Sequence, residues 1–326
     1  MHSSSLPSWC RFLVADFPSA NRILLTGRHP VLVDTGYGSD FELLVQELAS
    51  AGLRPEALSV VVNTHWHSDH VGGNYRLQHR HGVPIAAARE DAVAVNARDP
   101  QACLAVWLDQ PIEPYHVDRP INSGDRISAG EAEWQVIATP GHTPSHLSFF
   151  QPDERLLIVG DALHADDIGW INLPLEGSSA IDQALRSVEA LAALPARLAL
   201  SGHGPLITDP PATLARAHER YTKLRNDPVP AGWHALKRIF AYALMLYDGI
   251  PVAEVDSYLA RRAWLADYAA NVFRMDASQL SRDLLTEMRR SGAVVERDGR
   301  LYSTTPHHRP AAGWRHAPGF PAQWPA

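Results

Sequence analysis

Cysteine is scarce in this chain of 326 residues, which contains only Cys10 and Cys103. Two cysteines so far apart argue against a disulfide framework and against a structural zinc site built on thiolates. No apolar run approaches the roughly 20 residues that cross a bilayer. The first seven residues also lack the charged and apolar regions of a secretory signal. The sequence therefore predicts a cytoplasmic protein without a membrane partner.

Positive charge is also limited and unevenly distributed. The chain has 29 Lys and Arg against 36 Asp and Glu, for a net charge of −7. Through Thr208 there are 13 basic and 24 acidic residues, whereas from Asp209 onwards there are 16 and 12. The acidic first part disfavours nucleic acid as a partner, because a phosphate backbone needs a cationic track. A small-molecule substrate is the expected partner, and association into a homodimer stays open.

Histidine, by contrast, is abundant, with 17 residues in the chain. Residues 64–73 read THWHSDHVGG and follow the strand-like run Leu58–Val62. Imidazole and carboxylate groups together suit zinc, iron or manganese. Alternate spacing lets His65 and His67 face one ion while Asp69 and His70 turn towards another. This stretch therefore predicts a metal site where a buried strand gives way to a loop.

Three later apolar runs each end on a further ligand type. His142 lies in the turn TPGHTP after a strand-like run, Asp161 ends the run LLIVGD, and His203 follows the run LALSG. Open α/β sheets place their sites at the carboxyl ends of strands. These residues are therefore expected to complete a site for two metal ions.

In the order of these motifs the chain resembles the metallo-β-lactamase-fold hydrolase superfamily, over roughly its first two-thirds. The resemblance implies two divalent ions, expected to be zinc, with iron and manganese left open. It implies that one ion is held by His65, His67 and His142, the other by Asp69, His70 and His203, and that Asp161 bridges them. Asp34, in the run VLVDTG, resembles the superfamily's first motif, whose aspartate orients a ligand histidine. Its alternative role is to cap a turn.

The expected chemistry is attack on a carbonyl carbon by a hydroxide held between the two ions. Asp69 is expected to take the proton as the intermediate collapses, so Asp69 and Asp161 are the predicted catalytic residues. The expected function is hydrolysis of an ester, a thioester or a lactone. A nucleophile pair of Ser145 and His146 is the weaker alternative, because it lacks the sequence G-x-S-x-G.

Two other classes of function stay open. The first is a metal-dependent ribonuclease or phosphodiesterase that uses the C-terminal domain to bind nucleic acid. It would be favoured if the basic pairs 237–238 and 289–290 lay together beside the metals, whereas an apolar pocket around Trp170 would favour an ester or lactone. The second is an inactive metal-bearing sensor, which the full set of seven ligands disfavours.

The expected fold class is α/β (α+β), and the resemblance implies an αββα sandwich for residues 1–208. Residues 209–305 show helical patterns followed by a hairpin signal at Asp298 and Gly299, and resemble a winged-helix module. Residues 306–326 form a Pro-rich tail. A helix is predicted over 41–51 with Asp40 as its N-cap, and another over 180–194. Strands are predicted at 22–25, 31–33, 58–62, 84–87, 133–138, 147–149, 156–159 and 198–200.

The segment 162–175 directly follows Asp161 and is expected to overhang the site. Asp166, Asp167 and Trp170 are expected to shape the pocket there. His146 and His164 are each either a substrate contact, a donor to a ligand, or an ordinary structural histidine.

Overall fold

The computed structural model describes residues 5–310, and in this part of the chain two mixed β-sheets pack face to face. The first sheet has six strands in chain order, antiparallel from β1 to β3 and parallel from β3 to β6. They are β1 (Cys10–Leu13), β2 (Arg22–Leu25), β3 (Val31–Val33), β4 (Val60–Val62), β5 (Ile85–Ala88) and β6 (Arg119–Ile121).

The second sheet has five strands in the order β11-β10-β9-β8-β7, and only the pair β10 and β11 is parallel. These strands are β7 (Arg126–Ala129), β8 (Ala132–Ala138), β9 (Leu147–Gln151), β10 (Leu156–Gly160) and β11 (Leu198–Ser201). Successive side chains of a strand point to opposite faces. In β10, Ile158 therefore packs between the sheets, whereas Leu157 and Val159 pack under the outer helices.

Helices cover the outer face of each sheet, which gives the expected αββα sandwich. Phe41, Leu44 and Leu48 of α1 pack on the first sheet, and Ile181 and Val188 of α7 pack on the second. The helices up to this point are α1 (Phe41–Ser50), α2 (Ser68–Val71), α3 (Asn74–His81), α4 (Arg89–Asn96), α5 (Ala105–Leu108), α6 (Leu173–Glu176) and α7 (Ser179–Ala192).

The next helix, α8 (Pro210–Asn226), begins where Asp209 accepts a hydrogen bond from the backbone N–H of Ala212 at 3.1 Å. Its buried residues Leu214 and Tyr221 join the core under α7. Thus α8 packs on the sandwich, although the helical patterns of the predicted C-terminal domain begin at residue 209.

The remaining elements build a second core around Phe240, Leu259, Trp264 and Leu284. They are α9 (Val229–Leu246), β12 (Ile250–Pro251), α10 (Val252–Ala260), α11 (Ala263–Tyr268), α12 (Ala277–Arg290), β13 (Val294–Arg297) and β14 (Arg300–Ser303). A π-helical turn follows α11. The strands form a sheet in the order β12-β14-β13. None of the helices within residues 5–310 has both the length and the apolarity to cross a bilayer.

The predicted hairpin is present, since β13 and β14 pair antiparallel around Asp298 and Gly299, whose φ angles are 48° and 71°. Two successive positive φ angles are typical of the tight turn that Asp-Gly favours. The sequence shows only helical patterns between residue 209 and this hairpin, but the structure adds the short strand β12, which pairs with β14. The tail is described only up to residue 310, where His308 donates its backbone N–H to the carbonyl of Phe17 at 3.0 Å. The rest of the predicted tail, 311–326, lies outside the described residues.

Asp40 occupies the predicted N-cap position of α1, but its side chain makes no capping bond to the helix. It accepts hydrogen bonds instead from Ser19 Oγ and, at 2.7 Å, from His308 Nε2. Asp40 therefore ties the N-terminal loop to the last described segment of the chain.

Candidate metal centre

The structure brings together the three histidines predicted for the first ion. His65 Nε2 lies 3.1 Å from His67 Nδ1, and His142 Nε2 lies 2.9 Å from the same nitrogen. All three side chains are buried. Metal–nitrogen bonds of about 2.0–2.1 Å in a tetrahedral site place ligand nitrogens about 3.3 Å apart. The three nitrogens therefore have the spacing of ligands around one cation.

The residues predicted for the second ion also converge. Asp69 Oδ2 lies 3.1 Å from His203 Nε2 and 3.8 Å from His70 Nε2. Asp69 and His70 belong to the single turn α2, which starts directly after His67. His203 comes from the loop after β11 of the second sheet, whereas Asp69 and His70 follow β4 of the first sheet. The ends of two strands from different sheets therefore meet here.

Asp161, at the end of β10, lies between the two groups. Its Oδ1 is 3.3 Å from His70 Nε2, and its Oδ2 is 3.6 Å from His142 Nε2 and 3.7 Å from His203 Nε2. This one carboxylate thus reaches both groups of ligands. It occupies the position that the resemblance implies for a bridging ligand.

Buried polar atoms without partners show that these residues fit divalent cations. His70 Nε2 and Asp161 Oδ1 are both shielded from water and face each other at 3.3 Å, but neither makes a hydrogen bond. Such atoms are costly unless another group satisfies them. Gly202 leaves the necessary room, because a Cβ there would lie 2.2 Å from Asp161 Oδ1. The donor set of imidazole and carboxylate suits zinc, iron or manganese.

Burial keeps the first three histidines neutral. Desolvation, helped by neighbouring imidazoles, lowers the pKa of His65 and of His67 well below the usual value. Desolvation also lowers the pKa of His142. A metal ligand must offer a lone pair rather than a proton. These residues are therefore in the protonation state that metal binding requires.

Carboxylates and imidazoles alternate in the second half of the site, and each shifts the pKa of the other. Burial opposes a charge on His70, but the carboxylates of Asp161, Asp69 and Asp34 outweigh it and raise its pKa well above the usual value. Burial likewise opposes ionisation of Asp161, yet the nearby imidazoles of His203 and His70 hold its pKa well below the usual range. The carboxylates stay ionised and favour a cation between them.

Asp34 orients one of these ligands, as the resemblance implies. Its Oδ2 lies 2.8 Å from His70 Nδ1, while its Oδ1 accepts the backbone N–H of Thr64 at 2.9 Å. Thr64 Oγ1 also donates to Asp34 Oδ2 at 2.8 Å. A proton held on Nδ1 by this carboxylate leaves Nε2 of His70 free to bind a metal.

The segment after Asp161 orients the ligands of the first group. The carbonyl of Trp170 lies 2.8 Å from His142 Nδ1, and its indole stacks on His67 at 5.4 Å between ring centroids. Gly169 permits this approach, because a Cβ there would lie 2.1 Å from the backbone oxygen of Asp161. The expectation that this segment overhangs the site is confirmed.

His146 has a structural role. Its Nε2 accepts the backbone N–H of Asp161 at 3.1 Å, and its Nδ1 lies 2.8 Å from Thr139 Oγ1. The hydroxyl of Ser145 donates a hydrogen bond to the carboxyl group of Asp91. The alternative of a Ser145–His146 nucleophile pair is therefore wrong, since each side chain is directed at a different partner.

The candidate site opens into a cavity of about 590 Å³ between the sandwich and α9, which we call the metal cavity. His164, Asp166, Asp167 and Trp170 line it, as the sequence suggests. Its wall also includes residues that carry no sequence signal of a site, namely Phe17, Leu108, Gln110, Ile239, Tyr242, Met245 and Thr305. Phe17 stacks on His203 at 4.8 Å between ring centroids.

Only one of the two basic pairs lies at the metal cavity. Lys237 and Arg238 line the metal cavity, whereas Arg289 and Arg290 are not among its lining residues. Arg290 is directed instead at Glu287, with 2.6 Å between Nη2 and Oε2.

Comparison with known proteins agrees with this architecture. A sequence model described as the metallo-beta-lactamase superfamily matches residues 16–203. The chain is 32% identical over 157 residues to the hydroxyacylglutathione hydrolase of Rhodospirillum rubrum, which covers 48% of this chain and 52% of that protein. It is 27% identical over 192 residues to the beta-lactamase-like protein 2 homolog of Caenorhabditis elegans, with coverage of 57% and 55%. The chain thus spans about half the length of the curated relatives it matches.

Among solved structures, a metallo-beta-lactamase family protein from Thermus thermophilus superposes with a TM-score of 0.59 at 23% identity. The match covers 92% of this chain and all of that one, and at this identity it shows the fold alone. Since the superfamily match spans more than half of the sequence, this chain belongs to the metallo-beta-lactamase superfamily.

Proposed function

We propose that the protein is a metal-dependent hydrolase that cleaves a carbonyl ester, thioester or lactone. The observation that carries the proposal is the position of Asp161, whose two oxygens reach both groups of ligands. The relatives named hydroxyacylglutathione hydrolase hydrolyse, by that name, an acyl derivative of glutathione. They support a thioester among the candidate substrates.

The spacing of the side chains supports the ligand assignment that the resemblance implies. His65, His67 and His142 would hold one ion, Asp69, His70 and His203 the other, and Asp161 both. Two divalent ions, with zinc favoured over iron and manganese, would lower the pKa of a bound water towards about 7 and polarise a carbonyl group.

The side chains around the ligands have separate tasks. Asp69 lines the cavity, and we assign its carboxylate to receive a proton and pass it to the leaving group. Burial opposes ionisation of Asp69, but the imidazoles of His70 and His203 outweigh it and lower its pKa. This carboxylate is therefore available as a base. The rings of Phe17 and Trp170 stack on His203 and His67 and shield one face of each ligand from water.

The cavity wall favours attack on a carbonyl group. Leu108, Ile239 and Met245 give it an apolar surface of the kind that receives an acyl chain or a lactone ring. A metal-dependent ribonuclease or phosphodiesterase is the second candidate, because Lys237 and Arg238 line the same cavity. The position of Arg289 and Arg290 away from the cavity supports the first candidate.

The test is metal content by elemental analysis, combined with hydrolysis of lactones, thioesters, phosphodiesters and short RNA by the same preparation. We expect two ions per chain and turnover of a carbonyl substrate that is lost on chelation and restored by metal. The exposed Asp153, replaced by Ala, is the control and should behave like the unmodified protein. Cleavage of RNA or phosphodiesters alone would support the second candidate. Less than one ion in a metal-replete sample would refute both.

A further inference from the structure

A second cavity adjoins the metal cavity on the side of the helical region. It has a volume of about 720 Å³ and lies between α8, α9 and α12; we call it the helical cleft. Lys237 and Arg238 line both cavities, so the two are neighbours across this basic pair. The helical cleft is also lined by Arg220, Pro230, Trp233, His234, Asp283, Thr286 and Glu287. A small lactone in the metal cavity would leave all of this space unused.

Basic side chains are concentrated at the junction of the two cavities. Arg220 and Arg238 both bond the carboxylate of Asp167, so two guanidinium groups share one negative charge. Lys237 Nζ lies 3.3 Å from Glu287 Oε1, and Arg290 binds this same carboxylate. The cleft itself is lined by three cations, Arg220, Lys237 and Arg238, and by the two carboxylates of Asp283 and Glu287, so cations are in slight excess there in a chain whose net charge is −7.

These cations remain accessible to a ligand. The side chains of Arg220 and Arg238 are 40% and 42% exposed, and that of Lys237 is 32% exposed. Part of each of these side chains is therefore open to a ligand. A guanidinium group binds phosphate through two parallel hydrogen bonds, and an ammonium group binds it as a point charge.

An aromatic side chain lies in the same cleft. Trp233 lines it together with Pro230, and its ring packs against Phe273 with 5.0 Å between centroids. Phe273 thus supports the indole, which offers a flat apolar surface next to the three cations. A planar ring can stack on such a surface.

We propose that the helical cleft binds the phosphate-bearing, aromatic end of a thiol carrier whose acyl thioester carbonyl lies in the metal cavity. The substrate class would then be acyl thioesters of a nucleotide-containing thiol, an inference that rests on the proposed function. In the reaction, the oxygen of water bonds to the acyl carbon and the carbon–sulfur bond breaks. The bonding electron pair stays on sulfur, one proton of the water goes to that sulfur, and the other is released as the acid ionises. The products are a carboxylate and the free thiol.

Binding is tested without turnover by titrating the metal-loaded protein with adenosine 3′,5′-bisphosphate in a calorimeter. We expect binding that weakens as salt rises. Lys237→Met and Arg238→Met should each weaken it by about 10-fold or more, as expected for loss of a charged hydrogen bond. Arg282→Met on the exposed side of α12 is the matched control and should bind like the unmodified protein. Equal binding by all variants would overturn the assignment of the cleft.

Turnover is tested with one acyl group on three thiols: coenzyme A, glutathione and N-acetylcysteamine. We expect the highest kcat/KM for the coenzyme A thioester, and about a 10-fold smaller preference for it over the N-acetylcysteamine thioester in Arg238→Met. Hydrolysis of all three thioesters at equal kcat/KM would overturn the cleft assignment while leaving the proposed function intact. Hydrolysis of esters or lactones without any thioester hydrolysis would overturn the substrate class but leave the proposed function intact. Cleavage of RNA or phosphodiesters alone would overturn both, even if the bisphosphate bound.

Discussion

Replacing Asp34 by Asn tests whether this residue sets the proton position on a ligand histidine. The substitution keeps the size of the side chain, and Asn tolerates the left-handed backbone that Asp34 adopts, with φ of 60°. What changes is the number of acceptor atoms. Asp34 is buried and bonds both His70 Nδ1 and the backbone N–H of Thr64.

An amide at this position cannot accept from both partners. If its oxygen faces Thr64, its NH₂ group faces His70 and favours the tautomer with the proton on Nε2, the atom that would bind the metal. If its oxygen faces His70, the N–H of Thr64 loses its acceptor. A buried donor without a partner costs about 1–3 kcal/mol. Loss of such a supporting carboxylate typically weakens metal binding by about 10–100-fold.

We therefore expect Asp34→Asn to lower metal affinity by about 10–100-fold, equivalent to about 1.4–2.7 kcal/mol. Unfolding of the chelated protein should also require about 1–3 kcal/mol less. Competition with a chromophoric chelator measures the first quantity, and urea denaturation the second. Asp276→Asn is the matched control, since Asp276 accepts backbone N–H groups at the start of α12. Unchanged metal affinity in Asp34→Asn would refute the orienting role of this carboxylate.

Three further predictions concern other residues. Asp161→Ala should remove at least one ion per chain and most hydrolytic activity, measured by elemental analysis and initial rates; two retained ions with full activity would contradict the bridging role. Gly202→Ala should also reduce metal content, because its Cβ would lie 2.2 Å from Asp161 Oδ1 and 2.7 Å from His70 Cε1. Burial raises the pKa of Asp91 to about 7 from 3.8, so the folded state keeps a proton that the unfolded chain releases near pH 4. The stability of the unmodified protein therefore falls as pH rises between these values. At pH 8, Asp91→Asn should be more stable than the unmodified protein by on the order of 2 kcal/mol. At pH 4 it should have no such advantage.

The last two predictions have simple controls. Gly177→Ala introduces a Cβ into open space at a positive φ of 69°, so it tests backbone strain without touching the site. Equal metal loss in Gly177→Ala and Gly202→Ala would contradict the steric argument. For Asp91→Asn, denaturation across the pH range is decisive. A difference in stability that does not change between pH 4 and pH 8 would show that ionisation of Asp91 is not the cause.

The sequence alone determined much of the sandwich and of the candidate ligand set. The central strands are short runs of buried apolar residues, and this pattern is local, so it can be read without the fold. The histidines and aspartates follow the ends of those same strands, and parallel strand ends meet at one edge of a sheet. The orienting role of Asp34 was accessible for the same reason, since it follows β3 beside β4.

Some of the strands at sheet edges escaped prediction. Strand β6 contains Pro120 and β12 contains Pro251, and each lies at the edge of its sheet. Proline is tolerated at an edge because its missing N–H faces away from the ladder, but the same residue argues against a strand when only the sequence is known. The bond from Asp40 to His308 was also beyond sequence analysis, because its partners lie 268 positions apart.

Only the tertiary structure decided how the cavities are built. Phe17, Lys237, Arg238 and Tyr242 come from segments far apart in the chain, and none belongs to a motif with the ligands. Their positions depend on how α8 and α9 pack against the edge of the sandwich. The candidate ligands follow strands that can be recognised from local sequence patterns. The surface that would face the substrate depends on contacts between distant segments, and no local sequence pattern reveals those contacts.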